Sequence, residues 1–334
     1  MFDPLRVPSG AIAASPVFFP VHHRDPMVSR ASLARAPGMI SNAFFFYKDR
    51  ATRDQVADGL RLRDLVDHPG ILMTDSGAFQ GFQRPLYLKN KTIVQFQVDL
   101  GADIVSPLDL VTGPWEKRTV AEKKLDSTLR RVGEAVDVVG DGLLAGVQQG
   151  GRFLDLRSRA THELVAFGVR YLALGSLVPF LTRNHDVGLI LDIIKDSRSI
   201  TGNEMPIHLY GAGDPVELPL FYLAGANVFD SSSFAHFAIG GWYMTPYGAV
   251  HLDTHPTPGW TCHCDVCAPV PLEGRLHLSP HQMSEHNLGV VLDSIEAIRA
   301  AAEADELRPF VDEVVARHMA SFPASRLAAS AARL

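Results

Sequence analysis

The sequence predicts a (β/α)₈ barrel, and three observations carry that prediction. Eight short apolar runs recur along the 334-residue chain. The runs do not alternate between apolar and polar residues, which is typical of strands buried on both faces of a parallel sheet. Helical patterns separate the runs, as the alternation of strand and helix in a barrel requires. A doubly wound sheet is the alternative that this pattern leaves open.

The predicted strands and helices follow one another in order. The strands occupy residues 17–21, 38–42, 71–75, 103–109, 143–149, 171–175, 207–211 and 227–230. Apolar residues repeat at helical spacing after the fourth strand, at Leu125, Leu129, Val132, Val136 and Val139. A second helical face is formed by Val187, Ile190 and Ile194, and Asp214-Pro215 is typical of a helix start. The spacing of the strands is uneven, and helical patterns are weak between the first two strands.

The three cysteines form the most specific motif, because Cys262, Cys264 and Cys267 fall within six positions. This spacing is too tight for disulfide pairing and suits three thiolates on one tetrahedral zinc ion. Among the histidines nearby, His286 is the best placed as fourth ligand, early in a helix that Ser279 would cap. Four protein ligands leave no open position, so the zinc is predicted to be structural. Three buried thiols without a metal are the alternative.

Composition limits the class of protein. Hydrophobic residues make up 46% of the chain, and the formal net charge is −6. An acidic balance argues against a large non-specific nucleic-acid surface but leaves room for a local basic patch. Reduced cysteines predict a cytoplasmic protein. The N-terminus predicts no signal peptide, and no apolar run is long enough for a membrane span.

Polar and small residues follow the predicted strands, where a barrel places its chemistry. These strand ends contain Asp75, Ser76, Asp109, Gln149, Gly175, Ser176, Gly211, Gly213 and Asp230. Two carboxylates in one pocket can divide the roles of nucleophile and general acid/base. Glycines let a flat ligand approach the backbone. The alternative is that each aspartate only caps the next helix.

Five segments together resemble the tRNA-guanine transglycosylases. They are Asp-Ser-Gly-Ala-Phe-Gln at 75–80, Val-Gln-Gln-Gly-Gly at 147–151, His-Leu-Tyr-Gly-Ala-Gly at 208–213, Phe-Asp-Ser at 229–231, and the cysteine cluster with 286–288. The resemblance runs from about residue 12 to about residue 315 and is closer to the archaeal, archaeosine-forming branch. The similarity to the archaeal branch is found in residues 41–48 and 229–235. Enzymes that insert 7-deazaguanines into DNA are similar to the same branch.

The resemblance implies a zinc-bearing barrel that exchanges guanine in a polynucleotide for a 7-deazaguanine such as 7-cyano-7-deazaguanine. Carried over, Asp230 is the nucleophile that forms a covalent intermediate, and Asp75 is the general acid/base. The target nucleotide would be flipped out of its stack. The matched purine pocket comprises Ser76, Phe79, Asp109, Gln149, Gly175, Ser176, Leu177, Gly211 and Gly213. The matched zinc ligands are Cys262, Cys264, Cys267 and His286.

The sequence leaves three functions open. Base exchange on tRNA is favoured as the commoner use of the fold. The same exchange on DNA is the alternative, because the archaeal tRNA enzymes usually continue into C-terminal RNA-binding domains that we do not expect after the zinc helix here. A non-catalytic partner subunit is the third, and the presence of Asp75 and Asp230 argues against it. We expect one domain over residues 1–334, a zinc subdomain at about 255–290 and C-terminal helices at about 280–330. The resemblance also allows a homodimer.

Overall fold

The computed structural model describes residues 2–23, 25–78, 88–184, 186–254, 260–270, 275 and 277–334, with the side chains of 183 and 184 left out. Eight parallel strands form its centre. They are β1 (Val17–Pro20), β2 (Gly38–Asn42), β3 (Ile71–Asp75), β4 (Ile104–Val105), β5 (Leu143–Gln148), β6 (Tyr171–Leu174), β7 (Ile207–Leu209) and β8 (Val228–Ser231).

The strands close into a barrel. The sheet order is β1-β8-β7-β6-β5-β4-β3-β2, and every pairing is parallel. A parallel bridge between Val21 and Ile40 joins the two ends of this order. Closure confirms the predicted barrel and excludes the doubly wound sheet, whose edge strands stay unpaired.

Helices surround the strands. They are α1 (Arg30–Leu33), α2 (Ala43–Lys48), α3 (Arg50–Ala57), α4 (Leu62–Val66), α5 (Asn90–Asp99), α6 (Arg118–Val139), α7 (Leu154–Ala166), α8 (Val187–Thr201), α9 (Leu218–Ala224), α10 (Ser233–Ile239), α11 (Pro280–Glu303), α12 (Leu307–Ser321) and α13 (Leu327–Ala331). The predicted helices at α6, α8 and α11 are confirmed. Ser279 caps α11 as expected and forms a capping box with Gln282.

Apolar side chains fill both faces of the sheet. Inside the barrel, Phe19, Met73, Ala145 and Tyr171 belong to one buried cluster. The N-terminal hairpin of Leu5–Arg6 and Ile12–Ala13 adds buried side chains to this cluster. Outside the barrel, a larger cluster joins the strands to the surrounding helices. The lack of alternation in the strand sequences follows from this double burial.

The fourth strand is shorter than the predicted run of 103–109. It ends at Val105 because side-chain oxygens accept the hydrogen bonds of the N–H groups that follow. The N–H of Ser106 donates to Gln97 Oε1 at 2.9 Å, and the N–H of Leu108 donates to Asn90 Oδ1 at 3.0 Å. The chain therefore leaves the ladder early.

The helix predicted to start at Asp214-Pro215 begins later, at Leu218. Asp214 instead closes a turn, because its Oδ1 accepts from the N–H of Val216 at 3.0 Å. The carbonyl oxygen of Asp214 accepts from the N–H groups of Glu217 at 3.0 Å and Leu218 at 3.1 Å, so a single turn precedes the helix. Within the described part of the chain, no helix combines the length and the hydropathy that crossing a bilayer requires.

Candidate functional site

The barrel brings the predicted polar residues to one mouth. Asp75 ends β3, Asp109 follows β4, Gln149 follows β5 and Asp230 lies near the end of β8. Because the strands are parallel and closed, their carboxyl ends face the same opening. Of the other predicted pocket residues, Ser76 directly follows Asp75, Gly175, Ser176 and Leu177 follow β6, and Gly211 and Gly213 follow β7. Phe79, also predicted to line the pocket, lies outside the described residues.

Asp75 is the carboxyl group whose acidity the site changes most clearly. Burial raises its pKa to about 7, and the negative charges of Asp109 and Asp230 act in the same direction. The backbone N–H groups of Gly77 and Ser76 act against this shift. The charges of both other carboxylates therefore act on Asp75. With a pKa of about 7, Asp75 can be protonated or ionised near neutral pH.

Asp109 belongs to a continuous hydrogen-bonded chain. Gln149 donates from Nε2 to Asp109 Oδ2, and its Oε1 accepts from the Ser176 hydroxyl at 2.6 Å. The Ser176 hydroxyl in turn accepts from the N–H of Thr112 at 2.8 Å. Burial raises the pKa of Asp109 to about 6, while the bond from Gln149 and the charge of Arg131 oppose the rise. The chain fixes which end of the Gln149 amide faces Asp109.

Asp230 is 8% exposed and is held by the loop after β7. Its Oδ1 accepts from the N–H of Gly211 at 3.1 Å. Gly211 has φ of 77°, and a Cβ there would lie 2.3 Å from Val178 Cγ2. A Cβ at Gly213 would lie 2.3 Å from Ser231 Cβ. Gly213 therefore lets this loop approach the strand that carries Asp230, and Gly211 lets it approach Val178 in the loop after β6.

Ser76 adds a group that is ready for a ligand. It is fully buried, and its hydroxyl has no hydrogen-bond partner among the described residues. A buried hydroxyl of this kind is uncommon and needs an explanation. A ligand in the mouth is one that fits its position directly after Asp75.

Tyr210 is a site residue that sequence reasoning missed. Its hydroxyl lies 3.1 Å from Ser106 Oγ. Burial raises its pKa well above the usual value, and the charges of Asp75, Asp230 and Asp109 add to the rise. The ring therefore lies near all three carboxylates. Its position directly before Gly211, at a strand end, was the available signal.

Arg157 is a second residue that the sequence did not reveal. This guanidinium is fully buried, and burial lowers its pKa to about 9. It donates to the carbonyl oxygens of Gly151 at 2.9 Å, Gly175 at 2.8 Å and Gln148 at 3.2 Å. The hydrogen bonds of Arg157 thus hold the ends of β5 and β6 together, next to predicted pocket residues.

The predicted metal ligands come together in one cluster. The ligand atoms of Cys262, Cys264, Cys267 and His286 all lie within 4.8 Å of one another. Nδ1 of His286 is 3.6 Å from the Cys264 sulfur and 3.4 Å from the Cys267 sulfur. Three sulfurs and one nitrogen are a donor set that suits a tetrahedral zinc ion.

The surroundings of His286 prepare it as a ligand. Its Nε2 lies 2.8 Å from the carbonyl oxygen of Met244, which assigns the ring proton to Nε2 and turns the Nδ1 lone pair to the sulfurs. The ring of Tyr243 stacks on the imidazole at 3.8 Å, and Arg275 donates to the Tyr243 hydroxyl at 3.2 Å. Such outer contacts orient metal ligands. The residues present therefore fit a metal ion.

Comparison with known proteins places the chain in a family. The family model described as "Queuine tRNA-ribosyltransferase" matches residues 4–320. The chain is 28% identical to the tRNA-guanine(15) transglycosylase of Methanococcus aeolicus, covering 93% of this chain and 49% of the relative. It is 29% identical to that of Methanocaldococcus jannaschii, with coverages of 93% and 49%, and 30% identical to that of Pyrococcus furiosus, with 93% and 54%.

The chain spans about half the length of the curated relatives it matches. These relatives are archaeal, in agreement with the leaning that residues 41–48 and 229–235 indicated. The match covers the barrel and the cysteine cluster alike. The chain therefore belongs to the tRNA-guanine transglycosylase family, on the archaeal, archaeosine-type side of it.

Proposed function

We propose that this chain exchanges guanine in a polynucleotide, with tRNA as the favoured polymer, for a 7-deazaguanine through a covalent aspartyl intermediate. The observation that carries the proposal is the meeting of Asp75, Asp109 and Asp230 at one barrel mouth, where the charges of the other two act on Asp75. The names of the relatives support guanine as the departing base. A pentosyltransferase needs a nucleophile, a proton donor and a purine pocket, and we assign these roles to residues of this mouth.

Asp230 is the proposed nucleophile. Its carboxylate attacks the anomeric carbon of the target nucleotide, and the bond from that carbon to guanine breaks. The incoming base then attacks the same carbon and releases Asp230. Two displacements retain the configuration, as in a retaining glycosidase, with a base in the place of water. The hydrogen bond from Gly211 holds the carboxylate for the attack.

Asp75 is the proposed proton carrier. It gives a proton to the departing guanine and takes one from the incoming base. A pKa of about 7 suits both tasks, because neither form is costly to reach near neutral pH. Burial supplies most of this shift, so the same desolvation that destabilises the carboxylate prepares it for proton transfer.

Asp109 and Gln149 are proposed to recognise the purine edge. A carboxylate accepts from ring and exocyclic N–H groups, and the amide of Gln149 is held in one orientation by Asp109 and Ser176. The buried hydroxyl of Ser76 supplies a further polar contact. Fixed donors and acceptors of this kind discriminate strongly against bases that leave them unpaired.

We further propose that the incoming base carries a nitrile rather than an aminomethyl group. The carbonyl of Gly175 already accepts from Arg157, and that of Leu177 accepts from the N–H groups of Phe180 and Leu181. A cationic amine needs free carbonyls or a carboxylate, whereas a neutral nitrile needs an N–H donor and an apolar slot. The apolar side chains of Leu177 and Val178 suit the nitrile.

Competition between the two labelled bases on one polynucleotide tests this preference. We expect the nitrile base to be incorporated at least about tenfold more efficiently, the size of effect that one unpaired buried polar contact produces. Equal incorporation, or a preference for the amine, would contradict it.

The proposed metal is structural zinc at Cys262, Cys264, Cys267 and His286. Bound there, zinc would tie the cysteine loop to the start of α11, and metal binding at such a site is coupled to folding. Four protein ligands leave it no position for substrate. We assign it no step in base exchange.

The test of the proposed function is exchange of labelled guanine into tRNA and into DNA by the purified protein. It is paired with nucleoside analysis of both polymers from cells with and without the gene. We expect label in tRNA and a 7-deazaguanine nucleoside that disappears from tRNA with the gene. Label in DNA alone would retain the chemistry and replace the polymer. No label in either polymer would overturn the proposal.

A further inference from the structure

His208, in β7, is a buried group that the mechanism above does not use. The side chain is fully buried, and its Nε2 lies 2.9 Å from Oδ1 of Asp230. The two atoms are close enough for a hydrogen bond, but the ring N–H is not directed at the oxygen, so Nε2 has no bonded partner among the described residues. Catalytic hydrogen bonds are often misaligned without substrate and tighten in the complex.

Tyr171, in β6, contacts the ring nitrogen of His208 that lies away from Asp230. The Tyr171 hydroxyl lies 2.8 Å from Nδ1, and the tyrosine is fully buried. When this hydroxyl donates to Nδ1, the ring proton stays on Nε2, the nitrogen that lies 2.9 Å from Asp230 Oδ1. The opposite tautomer would turn a lone pair toward a carboxylate, which is repulsive. The rings of Tyr210, at 4.6 Å, and Phe19, at 6.1 Å, hold the imidazole edge-on.

Both contacts to Asp230 fall on the same oxygen. The N–H of Gly211 reaches Oδ1 at 3.1 Å, from the backbone, and His208 approaches Oδ1 from the barrel interior. We infer that His208 is a positioning residue, which together with Gly211 holds Oδ1 of Asp230 so that Oδ2 forms the bond to the anomeric carbon. This inference rests on the proposed function.

The bonding changes follow from this assignment. Oδ2 forms the bond to the anomeric carbon while the bond to guanine breaks, its electron pair stays with guanine, and Asp75 supplies the proton. Oδ1 becomes the ester carbonyl oxygen. In the second displacement a ring nitrogen of the incoming base forms a bond to the anomeric carbon and gives its proton to Asp75, while the ester bond breaks and its electron pair returns to the carboxylate of Asp230. Donors at Oδ1 then stabilise the charge that reappears there. His208 therefore serves both displacements without touching the substrate.

The test measures guanine exchange by His208→Phe, His208→Gln and Tyr171→Phe beside the wild type. His208→Phe keeps a ring of similar size but has no donor, so kcat should fall about 100-fold, the cost of a misplaced reacting group, while KM for guanine stays within about threefold. The amide of His208→Gln can donate from the place of Nε2 and should recover kcat to within about tenfold of the wild type. Tyr171→Phe removes the hydroxyl that contacts Nδ1, so the ring proton of His208 is no longer kept on Nε2. This variant should lower kcat roughly three- to tenfold.

A purely structural role predicts a different result. It would raise KM and lower the melting temperature together, with no recovery in His208→Gln. That result, or a wild-type kcat in His208→Phe, would overturn the inference.

If His208→Phe does not fold, Tyr171→Phe is the deciding variant, because an unchanged kcat in Tyr171→Phe would overturn the inference. A wild-type protein with no exchange at all refutes the proposed function, whereas exchange that is lost in Asp230→Ala but normal in His208→Phe refutes only this inference.

Discussion

Asn42 and Asp75 are directly paired across β2 and β3, and Asn42 Nδ2 lies 3.3 Å from Asp75 Oδ2. The other end of the same amide caps α2, because Oδ1 accepts from the N–H of Phe44 at 3.0 Å. A carbonyl oxygen must face the helix, so the NH₂ group must face the carboxylate. The N-cap of a helix thereby orients a donor toward the proposed proton carrier.

This relationship predicts the behaviour of Asn42→Asp. The new carboxylate keeps the cap but places a like charge against Asp75, whose pKa should rise further above 7. Since Asp75 must be protonated to expel guanine, the alkaline limb of kcat/KM should move to higher pH by about one unit. Asn42→Ala is the control, because it loses about 1 kcal/mol of cap but adds no charge. An Asn42→Asp profile that superimposes on the wild type would contradict the account.

Asp75→Asn should separate stability from activity. The pKa of Asp75 is about 7 in the folded chain against 3.8 ordinarily, so the folded state binds more protons between these values. Wild-type stability therefore falls as pH rises through that window. The neutral, isosteric amide does not ionise and so does not lose stability as the pH rises. The free energy of unfolding of Asp75→Asn should therefore exceed that of the wild type by roughly 2–4 kcal/mol at pH 8 and differ little from it near pH 4. Denaturant unfolding at both pH values measures it.

The same variant should exchange guanine at least about 100-fold more slowly, since an amide cannot carry a proton. Normal turnover would move proton transfer to another group, with Asp109 as the first candidate. An Asp75→Asn protein that is no more stable at pH 8 would mean that Asp75 is not a desolvated carboxyl group.

Gln149→Glu tests the purine edge. Glutamate cannot donate to Asp109, and its charge would repel that carboxylate, so the hydrogen-bonded chain is broken between residue 149 and Asp109. Guanine affinity measured by calorimetry should fall at least about tenfold, the cost of one unpaired buried contact. Gln149→Met, of similar length and without charge, separates repulsion from the loss of the hydrogen bonds. Guanine binding within twofold of the wild type in both variants would remove Gln149 from the pocket.

Cys264→Ser should lower zinc content and stability together, because removing one thiolate from a closed site weakens the metal. His263→Ala is a matched control, since His263 is the neighbouring residue, is exposed and is outside the ligand cluster. Metal analysis and thermal unfolding of the two variants should diverge. A wild-type protein that purifies without zinc and gains no stability from it would contradict the assignment.

The sequence was sufficient to predict the barrel and the polar residues at its mouth, because the signals for both lie within short segments of the chain. Apolar runs and the residues that end them are properties of short segments, and the cysteine spacing is too. Other features depend on distant partners. β4 ends early because Gln97 and Asn90 on α5 take its backbone groups. Strands buried on both faces do not reveal which residues point inward, so the lumen position of Tyr171 and His208 could not be predicted.

The central claim is that Asp230 forms a covalent bond with the sugar of the target nucleotide. The most direct measurement incubates the protein with tRNA in the absence of an incoming base, stops the reaction by denaturation and maps the adduct by mass spectrometry. The account predicts an adduct on the peptide that contains Asp230, which is absent from Asp230→Ala, together with less than about 1% of wild-type exchange in that variant. An adduct on Asp75, or exchange that persists in Asp230→Ala, would contradict it.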